Sequence, residues 1–389
     1  MKDFDYIIIG GGCAGLTLAY ELEYHDKLKN KTLAIIEKRD EYKRDKTWSY
    51  WKTVPHKFDD CVKKRWKDYT INFKGNVEYK DCKETPYESI DSGLFYKKIL
   101  NKINKNPNIQ FFKDISEVNT GNAILFNSLP NLENKDSNLW QHFQGVEIET
   151  EKDFFDDQIM NLMDFDCDQK KSVHFFYTLP YSKKSALIET TWLSKMEDDS
   201  EKDYDKQITD YIENTLKLKK YKINYKEVGA IPLFYPKFKN DKNTINIGTA
   251  GGMTRLSTGY TFLNIQEQAE YITQNIDKIT QTRAFNIKSK YKFLDNVFLK
   301  VLAEKPEIMP NIFFKMFKSK SKTVINFLSN KSNIFEDLSI ILKMPKWIFI
   351  KAVFKSGSYT HLRAHETLRY LVCRLLLEKK IQILKKIIE

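Results

Sequence analysis

A chain of 389 residues with 41% hydrophobic side chains is long enough for two domains and a sizeable core, which excludes a disordered or low-complexity protein. Its five cysteines, Cys13, Cys61, Cys82, Cys167 and Cys373, are scattered without a C-x-x-C pair, so neither a disulfide framework nor a metal site is expected. The formal net charge of +12 fits a membrane surface, a nucleic acid or drifted lysine-rich composition, but no basic-aromatic nucleic-acid module accompanies it and no nucleic-acid partner is expected.

In chain order, Met1 leads straight into an apolar strand without a charged-then-apolar leader, and no apolar run reaches the length of a membrane span. The expected location is therefore cytoplasmic, or peripheral on a membrane. Asp5-Tyr6-Ile7-Ile8-Ile9 reads as a buried strand cut off by Gly10-Gly11-Gly12-Cys13-Ala14-Gly15. A helix with Leu16, Leu18, Ala19 and Leu22 on its apolar face follows, and Leu33-Ala34-Ile35-Ile36 returns as a second strand ending in Glu37. Gly10, Gly12 and Gly15 fit G-x-G-x-x-G, in which the glycines serve the tight turn, the approach of backbone to a pyrophosphate and close helix-strand packing. The helix N-terminus offers N-H groups to phosphates, and Glu37 stands where an acidic side chain accepts ribose hydroxyls.

After a charged loop, Thr47-Trp48-Ser49-Tyr50-Trp51 concentrates aromatic rings that serve either as core or as a wall stabilising a cation. Residues 69–79 alternate as a strand, Leu94 to Ile103 reads as an amphipathic helix, and residues 127–139 as a loop or hairpin. Strands are expected over Trp140–Ile148 and Val173–Thr178, then through Ala186 to Trp192. The period-two rule puts Glu189 on one face with Leu187, Thr191 and Leu193. A carboxyl on that partly apolar face works as an acid or base near neutrality, or is an edge carboxylate salted by a lysine. Residues 195–220 read as a polar helix, and Val228 to Leu233 as a strand broken by proline. The stretch Thr244 to Gly252 repeats the strand-then-glycine logic of the opening, and a helix is expected from about residues 257–259 to Ile279.

These stretches together resemble the lycopene β-cyclases of the bacterial type. The opening fingerprint, Thr47 to Trp51, Phe176-Tyr177-Thr178-Leu179-Pro180, Ile188-Glu189-Thr190, Gly229 to Leu233 and Gly251 to Tyr260 occur in the family's order. The likeness runs on through Phe293-Leu294-Asp295, Asp337-Leu338 and Met344-Pro345-Lys346 to about Lys355, and Leu256 departs from it where the family usually has proline. The resemblance implies an α/β fold, with a Rossmann-like FAD-binding domain (residues 1–46, 88–140 and 240–290), an inserted β-rich substrate domain (47–87 and 141–239) and a helical C-terminal region (291–357). It implies a non-redox cyclisation of the linear ends of lycopene and other linear carotenoids to β-ionone rings, by protonation, ring closure and proton loss. Reduced FAD would be the cofactor and NAD(P)H its electron source.

By the same resemblance Glu189 is the catalytic acid/base, and Trp48, Tyr50, Trp51, Tyr177 and Tyr260 contact substrate. Gly10, Gly12, Gly15 and Glu37 hold the ADP half of the cofactor. Gly248, Gly251, Gly252, Thr258 and Gly259 approach its ring end. The rivals are an FAD-dependent oxidoreductase on a prenyl or aromatic substrate and a catalytically inactive FAD-binding membrane protein; Gly248-Thr249, where hydroxylases usually carry Gly-Asp, argues against a hydroxylase. Because lycopene dissolves in lipid, residues 296–355, which interleave lysines with Phe313, Phe314, Phe317, Phe327 and Trp347, are expected either to lie on the inner face of the cell membrane or to cap the substrate domain. Arginine, scarce before residue 358, becomes frequent with Arg363, Arg369 and Arg374, and the stretch resembles translated sequencing-adapter read-through. Residues 358–389 are therefore expected to be a non-native tail, and His361 and His365 are assigned no metal.

Overall fold

The structure is a computed structural model and describes residues 1–132, 138–196, 203–237 and 243–356. The expected non-native tail lies outside the described residues.

The β-branched runs of the two glycine-terminated stretches build a five-stranded parallel sheet, in the order Thr244–Asn246, Ile124–Asn127, Tyr6–Ile9, Leu33–Ile36, Ile109–Phe112. Strands buried on both faces read as continuous apolar runs, as Tyr6 to Ile9 and Leu33 to Ile36 do. Helices Cys13–Tyr24, Ser92–Ile103 and Phe262–Gln274 cover one face, where Ile8, Ile35, Leu18, Phe95 and Ile265 share a core. Ile7, Ala34 and Ile36 face a smaller cluster with Phe4 and Val118 on the other side. Asp91 caps the helix Ser92–Ile103, accepting from the Gly93 and Leu94 N-H groups at 2.8 and 3.2 Å.

A second sheet has seven strands, ordered Lys222–Pro232, Leu139–Glu149, Ser185–Lys195, Val173–Ser182, Ile159–Asp164, Asp68–Phe73, Asn76–Asp81. One face packs on the helical C-terminal region, joining Leu162, Phe175, Leu187 and Leu193 to Met309, Phe313, Phe317 and Val324. The opposite face buries Val146, Phe176 and Ile188 against Ile208, Tyr211 and Ile212. A three-stranded sheet of Thr47–Trp51, Tyr87–Asp91 and Val62–Trp66 stands between the two large ones.

Several local expectations change. Residues 69–79 form a hairpin rather than one strand, because Lys74 and Gly75 both take positive φ, at 52° and 70°, and turn the chain. Pro232 ends a strand rather than breaking one. Of the polar stretch 195–220, helix is confined to Tyr204–Asp210 with a π turn Tyr211–Thr215, while residues 197–202 lie outside the described set. The helix expected from residues 257–259 starts at Phe262, since Gly259 sits at φ 73° in a turn closed on the Arg255 carbonyl. Tyr87–Asp91 pairs with Thr47–Trp51, so the boundary expected at residue 88 falls inside a strand.

Beneath that turn Arg255 and Asp295 form a fully buried ion pair. Arg255 Nε donates to Asp295 Oδ1 at 2.6 Å, its Nη1 to Asn330 Oδ1 at 2.6 Å and the Phe327 carbonyl at 3.1 Å, and the Leu256 N-H to Asp295 Oδ2 at 3.0 Å. Among the described residues no helix is long and apolar enough to cross a membrane.

Candidate active site

The carboxyl ends of the parallel strands bring the two glycine turns together. Gly10 sits at φ 96°, and a Cβ there would lie 2.2 Å from Ser128 Oγ. A Cβ on Gly15 would meet the Gly10 carbonyl oxygen at 2.0 Å, so the helix can lie against its own turn because residue 15 has none. A Cβ on Gly12, by contrast, would meet nothing within 4 Å. Gly12 caps the helix, no side chain bonds to that end, and no acidic residue occupies the first turn. An open space facing free helical N-H groups is what a dinucleotide's pyrophosphate requires. Glu37 reaches back over the turn, accepting from the Gly11 N-H at 2.8 Å and the Arg39 N-H at 3.0 Å.

Gly248, at φ 60°, lies against the same helix, since a Cβ there would be 2.5 Å from Ala14 Cβ. The N-H groups of Gly251 and Gly252 are spent inside their own turn, on the Ile247 carbonyl at 3.1 Å and the Thr249 carbonyl at 3.0 Å. Those two glycines shape the turn, from which Thr249 borders the cavity, while Thr258 and Gly259 border it from the following turn closed on the Arg255 carbonyl.

That cavity, about 490 Å³, runs from the glycine turns to the helical region. Cys13, Ser128 and Thr249 border its dinucleotide end, while Phe175, Phe313, Met316 and Phe317 form an apolar end. Between them stand Trp48, Tyr87, Tyr177, Glu189, Glu227 and Tyr260. Strand register puts several of these in one transverse row: Tyr177 opposite Glu189, Glu189 opposite Gly145, and Gly145 opposite Glu227. Side chains directly opposite in an antiparallel sheet share a face.

Glu189 is 8% exposed, and Thr191 Oγ1 donates to its Oε1 at 2.6 Å. Burial, then the neighbouring Glu227 charge, push its carboxyl from the ordinary 4.5 up to about 8, against the Thr191 bond and the Lys46 charge. At neutral pH it is therefore a carboxylic acid. Burial also raises Glu227, opposed by the Tyr225 hydroxyl, which donates to it at 2.9 Å, and by the Arg44 and Lys46 charges. The Tyr177 hydroxyl donates to that of Tyr87 at 2.9 Å, and burial holds both phenols, with Tyr260, far above their usual titration.

The aromatic stretch divides between two faces. Trp48 reaches the cavity, stacked on Phe262 with centroids 5.8 Å apart. Tyr50 lies behind it, stacked on Phe262 at 4.9 Å and bonded to His56 Nε2 at 2.6 Å. Trp51 is fully buried, edge-on to Tyr69 and Tyr87, so neither Tyr50 nor Trp51 lines the cavity. Strand alternation turns Trp51 to the face opposite Trp48 and Tyr50; on that shared face Trp48 lies at the cavity, while Tyr50 is taken up by Phe262 and His56. His56, Asp59 and Glu88 hold ligand-type atoms within 4.8 Å of one another, but Arg65 and Lys52 already neutralise Glu88, which makes this an ion-pair network. Tyr87, Glu227 and Phe262 went unread in the sequence; the alternation of Tyr225, Glu227, Gly229 and Ile231 was the available signal for Glu227.

A family profile described as "lycopene cyclase protein" matches residues 5–353. No protein in a curated collection matches. Among solved structures, a geranylgeranyl bacteriochlorophyll reductase-like protein from Thermoplasma acidophilum is similar with a TM-score of 0.61 at 13% identity, covering 90% of this chain and 98% of that one. A flavin-dependent brominase gives 0.59 at 12%, covering 92% and 99%, and a flavoprotein/dehydrogenase from Cytophaga hutchinsonii 0.59 at 11%, covering 91% and 100%. At such identities the likeness is one of fold, and the Rossmann-like α/β architecture expected from the opening βαβ unit is the one these flavoproteins share.

Proposed function

This chain belongs to the lycopene cyclase family, and we propose that it closes the linear ends of lycopene, or of another linear carotenoid, into β-ionone rings. The observation that carries the reading is Glu189: a carboxyl still protonated at neutral pH, placed where a cavity passes from polar to aromatic and apolar walls. A hydrocarbon offers no polar handle, so the reaction needs a proton delivered at one carbon and a dry space in which the resulting cation survives to close the ring.

Glu189 supplies the proton and, as carboxylate, takes one back from the ring, so protons balance over a turnover. Trp48, Tyr87, Tyr177 and Tyr260 line the cavity, where aromatic rings favour positive charge, and the three phenols stay neutral beside it. Phe175, Phe313, Met316 and Phe317 would receive the polyene beyond the reacting end.

The glycine turns fit FAD: the open face of Gly12 would take the pyrophosphate, Gly10 and Gly15 let helix and turn pack closely beneath it, Glu37 would meet the ribose, and Thr249, Thr258 and Gly259 would border the ring end. When bound, reduced FAD would set negative charge against the cation without net redox change, with NAD(P)H as electron source. A lipid-soluble substrate favours a peripheral position on the inner face of the cell membrane. Exposed Phe335 and Trp347, 79% and 81% accessible, beside Lys343 and Lys346 support that placement.

The test is pigment chromatography from a lycopene-accumulating host expressing the full chain or its Glu189→Gln variant. Cyclic carotene from the first and unchanged lycopene from a folded, flavin-binding second are expected. Unchanged lycopene with the unaltered chain, together with substrate-dependent consumption of NAD(P)H, would replace this reading with a redox one.

A further inference from the structure

We propose that Glu227 is a positioning residue for this chemistry: its ionised carboxylate, facing Glu189 across Gly145, keeps the transferable proton on Glu189. The inference rests on the cyclase reading and concerns the protonation of the same site.

Geometry carries it. Glu189 and Glu227 lie on different strands, each opposite Gly145 of the strand between. A Cβ at Gly145 would be 3.5 Å from Glu227 Cγ and 3.6 Å from Glu189 Cβ, and 3.1 Å from Leu187 Cδ1, so the two glutamate side chains border one gap over Gly145 that the Leu187 side chain also lines. Two carboxyls facing across a buried gap do not both ionise readily, because each charge raises the other's cost.

Their surroundings decide which one keeps the proton. Glu227 accepts from the Tyr225 hydroxyl and has Arg44 and Lys46 near it, although Arg44 is also paired with Asp91 and Glu147. Glu189 has the Thr191 hydroxyl and the Lys46 charge but no arginine; Tyr177, opposite it on the adjacent strand, and Tyr87, bonded to Tyr177, are neutral. Tyr181, beside Glu227, is neutral as well. The charge therefore settles on Glu227 and the proton on Glu189. During turnover the Glu189 O-H bond breaks as a C-H bond forms at the substrate alkene, and a ring C-H bond then breaks to restore the acid. Glu227 itself neither gives nor takes a proton in these steps.

The test reads Glu189 directly. In the flavin-loaded protein, the carboxylic C=O infrared band that disappears in Glu189→Gln is titrated with pH in the unaltered chain, in Glu227→Gln and in Glu227→Asp. Removing the charge should lower the midpoint by about one pH unit or more. Glu227→Asp should hold it near the starting value, and the alkaline limb of cyclisation should move with the band. A folded Glu227→Gln whose midpoint and alkaline limb stay in place overturns the proposal, as does an equal shift in Gln and Asp variants, which would be an effect of packing. Glu227→Met serves if Glu227→Gln fails to fold. The band titrates without turnover, so a chain that leaves lycopene unchanged defeats the cyclase reading while the titration still decides whether the two carboxyls are coupled.

Discussion

At the scale of single residues, Glu189 couples stability to reactivity. Its folded-state titration near 8 lies above the 4.5 of an unfolded chain, so between those values the folded protein holds a proton that the unfolded chain has released. Stability therefore falls as pH rises from about 4.5 to about 8, by on the order of 3 kcal/mol at pH 7. Glu189→Gln, which keeps an acceptor for Thr191 and has no charge to bury, should melt at a higher temperature than the unaltered chain. Thermal scans should show that gap widening from pH 5 to pH 8, and a constant gap would refute the buried acid. Cyclisation should decline as pH rises through about 8 and be lost at every pH in Glu189→Gln. The face carrying Glu189 was legible because strand alternation is a local rule, obeyed by Leu187, Thr191 and Leu193 alike. Glu227 was not, because its partner is chosen by the register of two other strands and by a glycine more than eighty positions away. Trp48, Tyr50 and Trp51 looked equivalent as composition; the pleat set Trp51 apart, and packing on Phe262 and His56 drew Tyr50 away from the cavity.

At the scale of elements, the opening βαβ unit was readable in full. Its strands, helix and turn follow from short-range patterning, and Gly15 could be assigned to close packing before any coordinate was known. Gly15→Ala should therefore do two things at once. A methyl group 2.0 Å from the Gly10 carbonyl oxygen must push helix from turn, lowering both flavin content on purification and melting temperature. Gly12→Ala meets open space and should keep the fold while weakening flavin binding, as measured by fluorescence titration. The turn from Arg255 to Tyr260 was misread as the start of a helix because what holds it is remote. Asp295, Asn330 and the Phe327 carbonyl come from the helical region. Removing one member of a buried pair strands the other charge, so Asp295→Ala should cost about 3–5 kcal/mol in denaturant unfolding. Because Thr258 and Gly259 ride on that turn, flavin affinity should fall with it.

At the scale of the whole molecule, the helical region does more than roof the large sheet. Its inward residues complete the apolar end of the cavity, and its outward Phe335 and Trp347 face solvent beside lysines. Phe335→Ser combined with Trp347→Ser should leave melting unchanged and reduce co-sedimentation with vesicles containing anionic lipid, and full retention on vesicles would shift the membrane contact elsewhere. The transverse row has a further consequence. A linear carotenoid carries two reactive ends, and the described residues contain one row of Tyr177, Glu189, Gly145 and Glu227 to act on them. Under the proposed cyclase reading, a second closure would require the molecule to back out, reverse and enter again, which would make catalysis distributive. Singly cyclised carotene should build up early in a time course and be consumed later, and competing fresh lycopene should prolong its lifetime.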